Sequence, residues 1–508
     1  MPSISLPPVY SDHMMLQRGK PIIFKGHAKD IKKVSIRFAG ECVSMDIVDG
    51  CFTCEFPPLN VNETGPFDME FFADDEACPI LVIRDILIGD IWIAAGQSNM
   101  EYFLKYDADW NRTRKWQSDP QIRMFNVPRI AFEGQKKDLE GMGYWFTADD
   151  KDSWQLFSAP GFAFAHHIRQ NTGIPVGVIG CSWGGTPACA WMDEASLTGE
   201  LDVFNREYEE ALSLFTPEEL KEKSLEALAF ESDPRHGFEW ETVMYGLTLK
   251  EQEKWLETHR NDPVLPMGPW HHYRPSGLYH TMIETLAPFP IRGFLWYQGE
   301  SDSGHAALYT KTMESLVGCF RRTWNDNDLP FLFVQLAPFG KWLECTGDHY
   351  AQVRESQEKA ARLIRNAYMT SIMDIGSYED IHPKFKMEVG RRLALLALRH
   401  VYGFDVAADP PSVNEAFRDG NRITISFEDT GSSLSSEGHP EWGFELKRGS
   451  QPLTLEECSI CSEKVILTFN DDDSKNDPVT VSYACRDYCE TDLRNAAGVC
   501  VRPFRIEV

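Results

Sequence analysis

With 508 residues, 43% of them hydrophobic and 25% charged, the chain can bury large cores and divide into about two to four domains. A formal net charge of −27, with no long Lys/Arg run to offset it, repels phosphate backbones and anionic membrane surfaces, so neither nucleic acid nor membrane is an expected partner. No apolar run reaches the roughly 20 residues that span a bilayer, the first residues show no basic-then-apolar leader pattern, and 13 cysteines are an odd complement for a disulfide framework; the expectation is a globular, cytoplasmic protein with reduced thiols.

In chain order, residues 1–88 carry short β-type runs (21–26, 34–38, 80–83) between Gly, Asn, Asp and Pro punctuation, the pattern of a small β-sandwich. From Asp85 strand candidates alternate with helical ones. Strands are predicted over 86–95, 176–180, 291–297, 331–336 and 367–375, with helices over 160–170, 306–324, 350–366 and 383–402. In the last helix Val389, Leu393, Leu396 and His400 share a face. Such alternation implies a parallel sheet covered by helices on both sides, with sites at the carboxyl ends of its strands. A Glu-, Leu- and Lys-rich stretch, about 193–275, interrupts it and reads as inserted exposed helices, either a lid or wall of a pocket or a solvated decoration. After Gly403 β texture returns (422–427, 464–469, 479–483) and runs to Val508. The predicted domains are therefore 1–88, 89–403 and 404–508.

Strand-end residues carry the chemistry. The apolar run 91–95 stops at Gly96, turns, and presents Ser98 on an elbow at the start of a segment that can be helical to Tyr106. The serine hydroxyl would be exposed there, with its own N–H and those of the first helical turn facing any developing negative charge. Glycine and serine also make ordinary turns. After the 176–180 strand, Gly184-Gly185 permits close backbone approach. After 291–297, Gln298 can donate its amide to an oxyanion, within the polar cluster Gln298-Gly299-Glu300-Ser301-Asp302. After 367–375 comes His382, followed by Pro383 as the first residue of the final helix and preceded by Glu379 and Asp380 as orienting acids. The Cys51/Cys54 and Cys458/Cys461 pairs do not read as a zinc site, because strand alternation sends Cys51 and Cys54 to opposite faces. No metal or cofactor is expected.

The ordered blocks GQSNM (96–100), WGGTP (183–187), WYQGES (296–301) and DIHP (380–383) resemble the SGNH (GDSL-like) hydrolases and, within them, the sialate O-acetylesterase and carbohydrate-acetylesterase branch. SDHMMLQR (11–18), RPSGLYH (274–280), VGRRLA (389–394) and RNAAGVCVRPFR (494–505) extend the resemblance over most of the chain outside the insertion. It implies a three-layer α/β/α, flavodoxin-like SGNH domain flanked by N- and C-terminal β-sandwich-like domains. It also implies that Ser98 is the nucleophile, His382 the general base, and the Ser98 N–H, Gly185 and Gln298 the oxyanion donors. The broader superfamily has Asn where this chain has Gln298. Asp380 is assigned as orienting acid, with Glu379 and Asp374 as alternatives. Gln97, Asn99, Trp183, Glu300 and Arg274 are candidate substrate contacts. Among the nearby tryptophans, Trp110, Trp116, Trp183, Trp191 and Trp270, some could stack on sugars while most belong to the core. The implied substrate is an acetylated sugar, either a sialic acid or a plant-glycan fragment of xylan, xyloglucan or mannan. An SGNH lipase or thioesterase acting on other acyl esters, or a non-catalytic carbohydrate-binding protein, is the alternative.

Overall fold

The residues LVIRDILIGDIWIAAG form a single long strand, Leu81–Gly96, whose burial changes partway along. Up to Asp85 exposed and covered positions mix, whereas every residue from Ile86 to Gly96 is buried, as a strand covered on both faces requires. Its first part pairs antiparallel with Phe67–Ala73, and its later part pairs parallel with Val176–Ser182. The sequence-predicted boundary at residue 88 thus falls inside one continuous strand. The structure is a computed structural model and describes residues 2–59, 64–74, 76–135, 142–231, 241–470 and 477–508; part of the predicted insertion, 232–240, lies outside them. The chain forms two compact units, one of Met1–Glu231, Pro263–Trp296 and Ser315–Phe331, the other of Ser232–Asp262, Tyr297–Glu314 and Leu332–Val508.

In the first unit the large sheet runs in the order Trp145–Phe146, Ile122–Asn126, Val176–Ser182, Leu81–Gly96, Gly293–Tyr297. It is mixed rather than wholly parallel. Val176–Ser182 runs parallel to both neighbours, while Trp145–Phe146 joins antiparallel, a pairing that needs no crossover helix. The helix Ala159–Thr172 starts where the Ser158 hydroxyl accepts the Gly161 N–H at 3.0 Å and ends at Gly173 in the left-handed conformation. Its inner face carries Phe162, Ala163, Phe164 and Ile168, and Phe164 meets the sheet residue Trp92 edge-on at 5.0 Å. The N-terminal β-strands form a three-stranded sheet, Ser3–Ser5, Ile22–Lys29 and Cys51–Phe56, beside strands Lys33–Phe38 and Glu41–Asp46. In Cys51–Phe56 exposure alternates strictly, leaving Cys51 outside and Cys54 inside.

In the second unit the strand Ala367–Thr370 and the helices Tyr350–Leu363 and Lys386–His400 follow the predicted pattern with shorter strand ends. The last helix begins at Lys386, not Pro383. The Pro383 carbonyl instead accepts the Lys386 ammonium at 2.7 Å, so the loop continues past the proline. Beyond it lie two four-stranded sheets around a core that includes Ile423, Ile425, Val465, Leu467, Val481 and Tyr483. Asp374 is a buried anchor here, its carboxylate 5% exposed. It accepts two hydrogen bonds from Arg392, at 2.7 and 2.8 Å, and one from Arg494 at 2.9 Å. Burial pushes the carboxyl up, but the Arg392 hydrogen bonds and the two guanidinium charges outweigh it and hold its pKa below the ordinary value.

Asp374→Ala would leave Arg392 buried without its bidentate partner, and a loss of roughly 3–5 kcal/mol in urea unfolding is the expected outcome. Because the native carboxyl pKa is depressed, the Asp374 contribution is present above the unfolded carboxyl pKa and is lost as pH falls through the folded value; the wild-type and Asp374→Ala stability curves should converge in acid.

Candidate active site

The elbow after Leu81–Gly96 has the backbone that the sequence suggests. Gly96 sits at φ +138°, a region open in practice to glycine alone, and Gln97 caps the short helix Ser98–Glu101 in an extended conformation. The Gln97 carbonyl accepts the Met100 and Glu101 N–H groups at 2.9 and 3.0 Å. Ser98 is therefore the first helical residue, where N–H groups have no acceptor within the helix. It is 8% exposed, buried rather than open as the elbow alone implies. Gln97 and Asn99 are buried with it, at 3% and 1%.

The glycine pair arrives on the neighbouring strand. Ser182 is in register with Gly96, and the Trp183 N–H donates to the Gly96 carbonyl at 3.1 Å, which sets the 183–185 turn beside the elbow. Glu101, one helical turn past Ser98, accepts the Gly184 N–H at 2.6 Å and pairs with Arg129 at 3.2 Å. The Gly184 N–H is thus committed to Glu101, and Gly185 is the member of the pair that the resemblance assigns as oxyanion donor. It has φ +74°, and a Cβ there would overlap the Tyr273 hydroxyl. Trp183 stacks on His272 at 4.5 Å and 9°, and His272 on His271 at 4.8 Å and 11°. Burial pushes the imidazoles down, to about 4 for His271 and about 3 for His272, so both are neutral aromatic surfaces near pH 7. Arg274 donates to the Ala131 carbonyl at 3.2 Å. Trp191 is fully buried and donates to the Thr186 hydroxyl at 3.0 Å, which makes it a core residue.

The second unit holds the other predicted residues. Gln298 is fully buried and its amide is oriented from both ends: the Tyr309 hydroxyl donates to Oε1 at 2.8 Å, and Nε2 donates to the Asp302 carboxylate. A carboxamide nitrogen carries two hydrogens, so Asp302 takes one and fixes the direction of the other. Glu300, 8% exposed, opens the 3₁₀ segment Glu300–Leu308. His382 is 4% exposed and lies between two aromatic rings, edge-to-face with Tyr245 at 5.1 Å and 89° and with Trp342 at 5.3 Å and 81°. Burial, then the charges of Lys386 and Lys384, lowers its pKa well below the usual imidazole value.

Of the three candidate orienting acids, Asp380 lies against the histidine's backbone. Its Oδ1 accepts the His382 N–H at 2.8 Å and its Oδ2 pairs with Lys384 at 3.2 Å. Asp374 is held by Arg392 and Arg494, and Glu379 is exposed. Sequence reasoning missed Glu101, Tyr309, Tyr245 and Trp342, and it named Asp302 only as a member of the polar cluster. The two acids, Glu101 and Asp302, had a signal in their spacing, three and four residues after Ser98 and Gln298. Tyr245 comes from the predicted insertion, as does Gln252, whose Oε1 accepts the Trp342 indole N–H at 2.7 Å; this part of the insertion is a wall against His382 rather than a decoration. Among the described residues no group of three or more His, Cys, Asp or Glu is arranged to hold a metal ion, and no helix is long and apolar enough to cross a membrane.

The protein is similar to known carbohydrate esterases. It is similar to the crystal structure of a carbohydrate acetylesterase from Xanthomonas citri, with a TM-score of 0.73 and 27% identity over 99% of each chain. The family model described as "Carbohydrate esterase, sialic acid-specific acetylesterase" matches residues 88–230 and 266–399, more than half of the chain, and the protein belongs to that family. Two relatives are the sialate O-acetylesterases of Rattus norvegicus, 26% identical over 67% of this chain and 61% of that protein, and of Homo sapiens, 25% identical over 64% and 55%. The chain thus spans less than two thirds of the length of these relatives.

In an NMR titration the His382 ring should stay neutral through the ordinary imidazole range and protonate well below it. Lys384→Met removes a positive charge and releases Asp380, changes of the same sign, so the midpoint should move up; a downward move would refute this account of the shift.

Proposed function

We propose that the protein is a carbohydrate O-acetylesterase that cleaves acetyl esters of sugars through a serine nucleophile. What carries this reading is that the family match runs over the segments holding Ser98, Gly185, Gln298 and His382. The finer architecture belongs to the same proposal: an SGNH domain over about 89–403, with helices on both faces of its sheet, between β-rich modules at 1–88 and 404–508.

By the family pattern, neutral His382 removes the Ser98 proton as the hydroxyl oxygen attacks the acetyl carbonyl. The charge that develops on the carbonyl oxygen is met by the Ser98 N–H, the Gly185 N–H and the Gln298 amide. The tetrahedral intermediate collapses by breaking the bond to the sugar oxygen, which departs with the proton from His382. Water, deprotonated by the same histidine, attacks the acetyl-serine ester, and collapse releases acetate and restores Ser98. A histidine that is unprotonated at neutral pH suits the first step. Asp380 would hold the loop of His382 through its backbone N–H.

The substrate is proposed as an O-acetylated sialic acid or an acetylated plant-glycan oligosaccharide. Gln97, Asn99, Trp183 and Glu300 remain candidate sugar contacts. The case for Arg274 as partner of a sialic acid carboxylate is weakened by its bond to Ala131. Acetate release across O-acetylated sialic acids and acetylated xylo-, manno- and xyloglucan oligosaccharides separates these classes.

Ser98→Ala should fold and release no acetate, and Gln298→Ala should lose roughly 10²–10³ in kcat. Wild-type turnover by purified Ser98→Ala would overturn the serine mechanism. Preference for long-chain nitrophenyl esters over acetate would overturn the acetylesterase assignment.

A further inference from the structure

The loop that carries His382 also presents an aromatic ring to solvent. Tyr378 is 55% exposed, yet it is held in place on three sides. Its carbonyl accepts the Lys341 N–H at 2.8 Å. Its ring meets Tyr488 edge-to-face at 5.2 Å and 81°, and it lies so close over Gly340 that a Cβ there would overlap three ring atoms. Two residues further along the same segment, Trp342 packs against His382 at 5.3 Å. Gly340 and Trp342 flank Lys341, so their positions are separated by two residues of chain, about 7 Å when extended, with the tyrosine ring over one and the histidine against the other.

An exposed ring gains little for folding, and restraining it forfeits side-chain entropy. The same restraint favours a ligand, because the ordering is already done before binding. The faces of a pyranose carry C–H groups and its edge carries hydroxyls, so a flat aromatic surface matches the face and leaves the hydroxyls to water or polar groups. The position on the loop of the histidine, four residues before it, selects which part of the substrate would arrive there. His382 returns its proton to the departing sugar oxygen, so the leaving sugar must lie on the histidine's side of the ester.

We infer that Tyr378 is the stacking platform for the pyranose that bears the acetyl ester, and therefore a specificity-determining residue; this rests on the esterase reading above with His382 as the base. Tyr378 takes no part in bond making. Its contribution belongs to capture of the sugar and to acylation, and is absent from hydrolysis of the acetyl-serine ester, when the sugar has already left.

The test compares kcat/KM for two acetyl esters in the full-length protein. One is an acetylated sugar, either O-acetylated sialic acid or acetylated xylo-oligosaccharide, whichever wild type turns over faster; the other is 4-nitrophenyl acetate, which has no sugar face. In Tyr378→Ala the ratio of sugar to nitrophenyl kcat/KM should fall roughly 3- to 10-fold, chiefly through KM for the sugar. Tyr378→Phe and Tyr378→Trp, which keep a flat ring, should retain most of the wild-type ratio. Gly340→Ala, which displaces the ring without removing it, should lower the ratio as Tyr378→Ala does. An unchanged ratio in Tyr378→Ala overturns the inference, as does a fall in Tyr378→Phe equal to that in Tyr378→Ala, since that would assign the effect to the hydroxyl. Wild-type protein that releases acetate from neither ester sinks the esterase reading itself, and the platform with it.

Discussion

The strand Leu81–Gly96 is buried without a break from Ile86 to its last residue, and the arrangement of the first unit depends on that burial. A strand covered on both faces must satisfy its backbone N–H and C=O groups within the sheet. Polar chemistry can therefore emerge only at its end. Gly96 makes the end abrupt, because its φ of +138° turns the chain out of the ladder within one residue. The following helix then begins at Ser98, so the serine sits at a helix N-terminus directly past the strand end. The parallel neighbour is in register at this point, Ser182 against Gly96, so the turn after it, with its glycine pair, reaches the same level. Local backbone geometry and strand register together set the serine and the glycines side by side.

In both units an acid three or four residues beyond a proposed site residue accepts a hydrogen bond beside the site. Glu101, three residues after Ser98, takes the Gly184 N–H and is itself tethered by Arg129. Asp302, four residues after Gln298, takes one amide hydrogen while Tyr309 fixes the other end of the carboxamide. A donor serves a developing oxyanion best when its direction is set before charge appears, since no reorganisation is then needed at the transition state. A buried acid also raises the cost of error. If its hydrogen-bond partner is displaced, a desolvated carboxylate is left exposed to the full penalty of burial, and that penalty favours the one arrangement in which all the donors are engaged.

How much of this was legible in the sequence follows from which interactions are local. The apolar run 91–95, the following glycine and the helix over 160–170 are read from neighbours in the chain, and the observed strand and the Ala159–Thr172 helix agree with that reading. The four ordered blocks are likewise local, and they identify the family on which the proposed roles of Ser98 and His382 rest. Side-chain contacts decided two points that the backbone pattern left to them. Pro383 is sterically suited to a first helical position, but the Lys386 side chain takes its carbonyl and the helix starts later. Asp374, the alternative orienting acid eight residues before His382, is instead held by Arg392 and Arg494, one 18 and the other 120 residues away. No local pattern reveals such partners.

The wall around His382 shows the same limit from the other side. Neither Tyr245 nor Trp342 lies near residue 382 in the chain, and the Glu- and Lys-rich composition of the insertion fits a pocket wall or a solvated surface equally. Yet Gln252 anchors the Trp342 indole, the Tyr245 carbonyl accepts the Lys384 ammonium at 2.8 Å, and the two rings pack edge-on to the imidazole. Aromatic edges exclude water without offering the imidazole a charge partner, which keeps the ring neutral, while Lys384 and Lys386 disfavour the imidazolium further. The basicity of the histidine is thus set by residues drawn from three separate stretches of chain. A sequence motif can name the histidine, but the packing around it determines its protonation state.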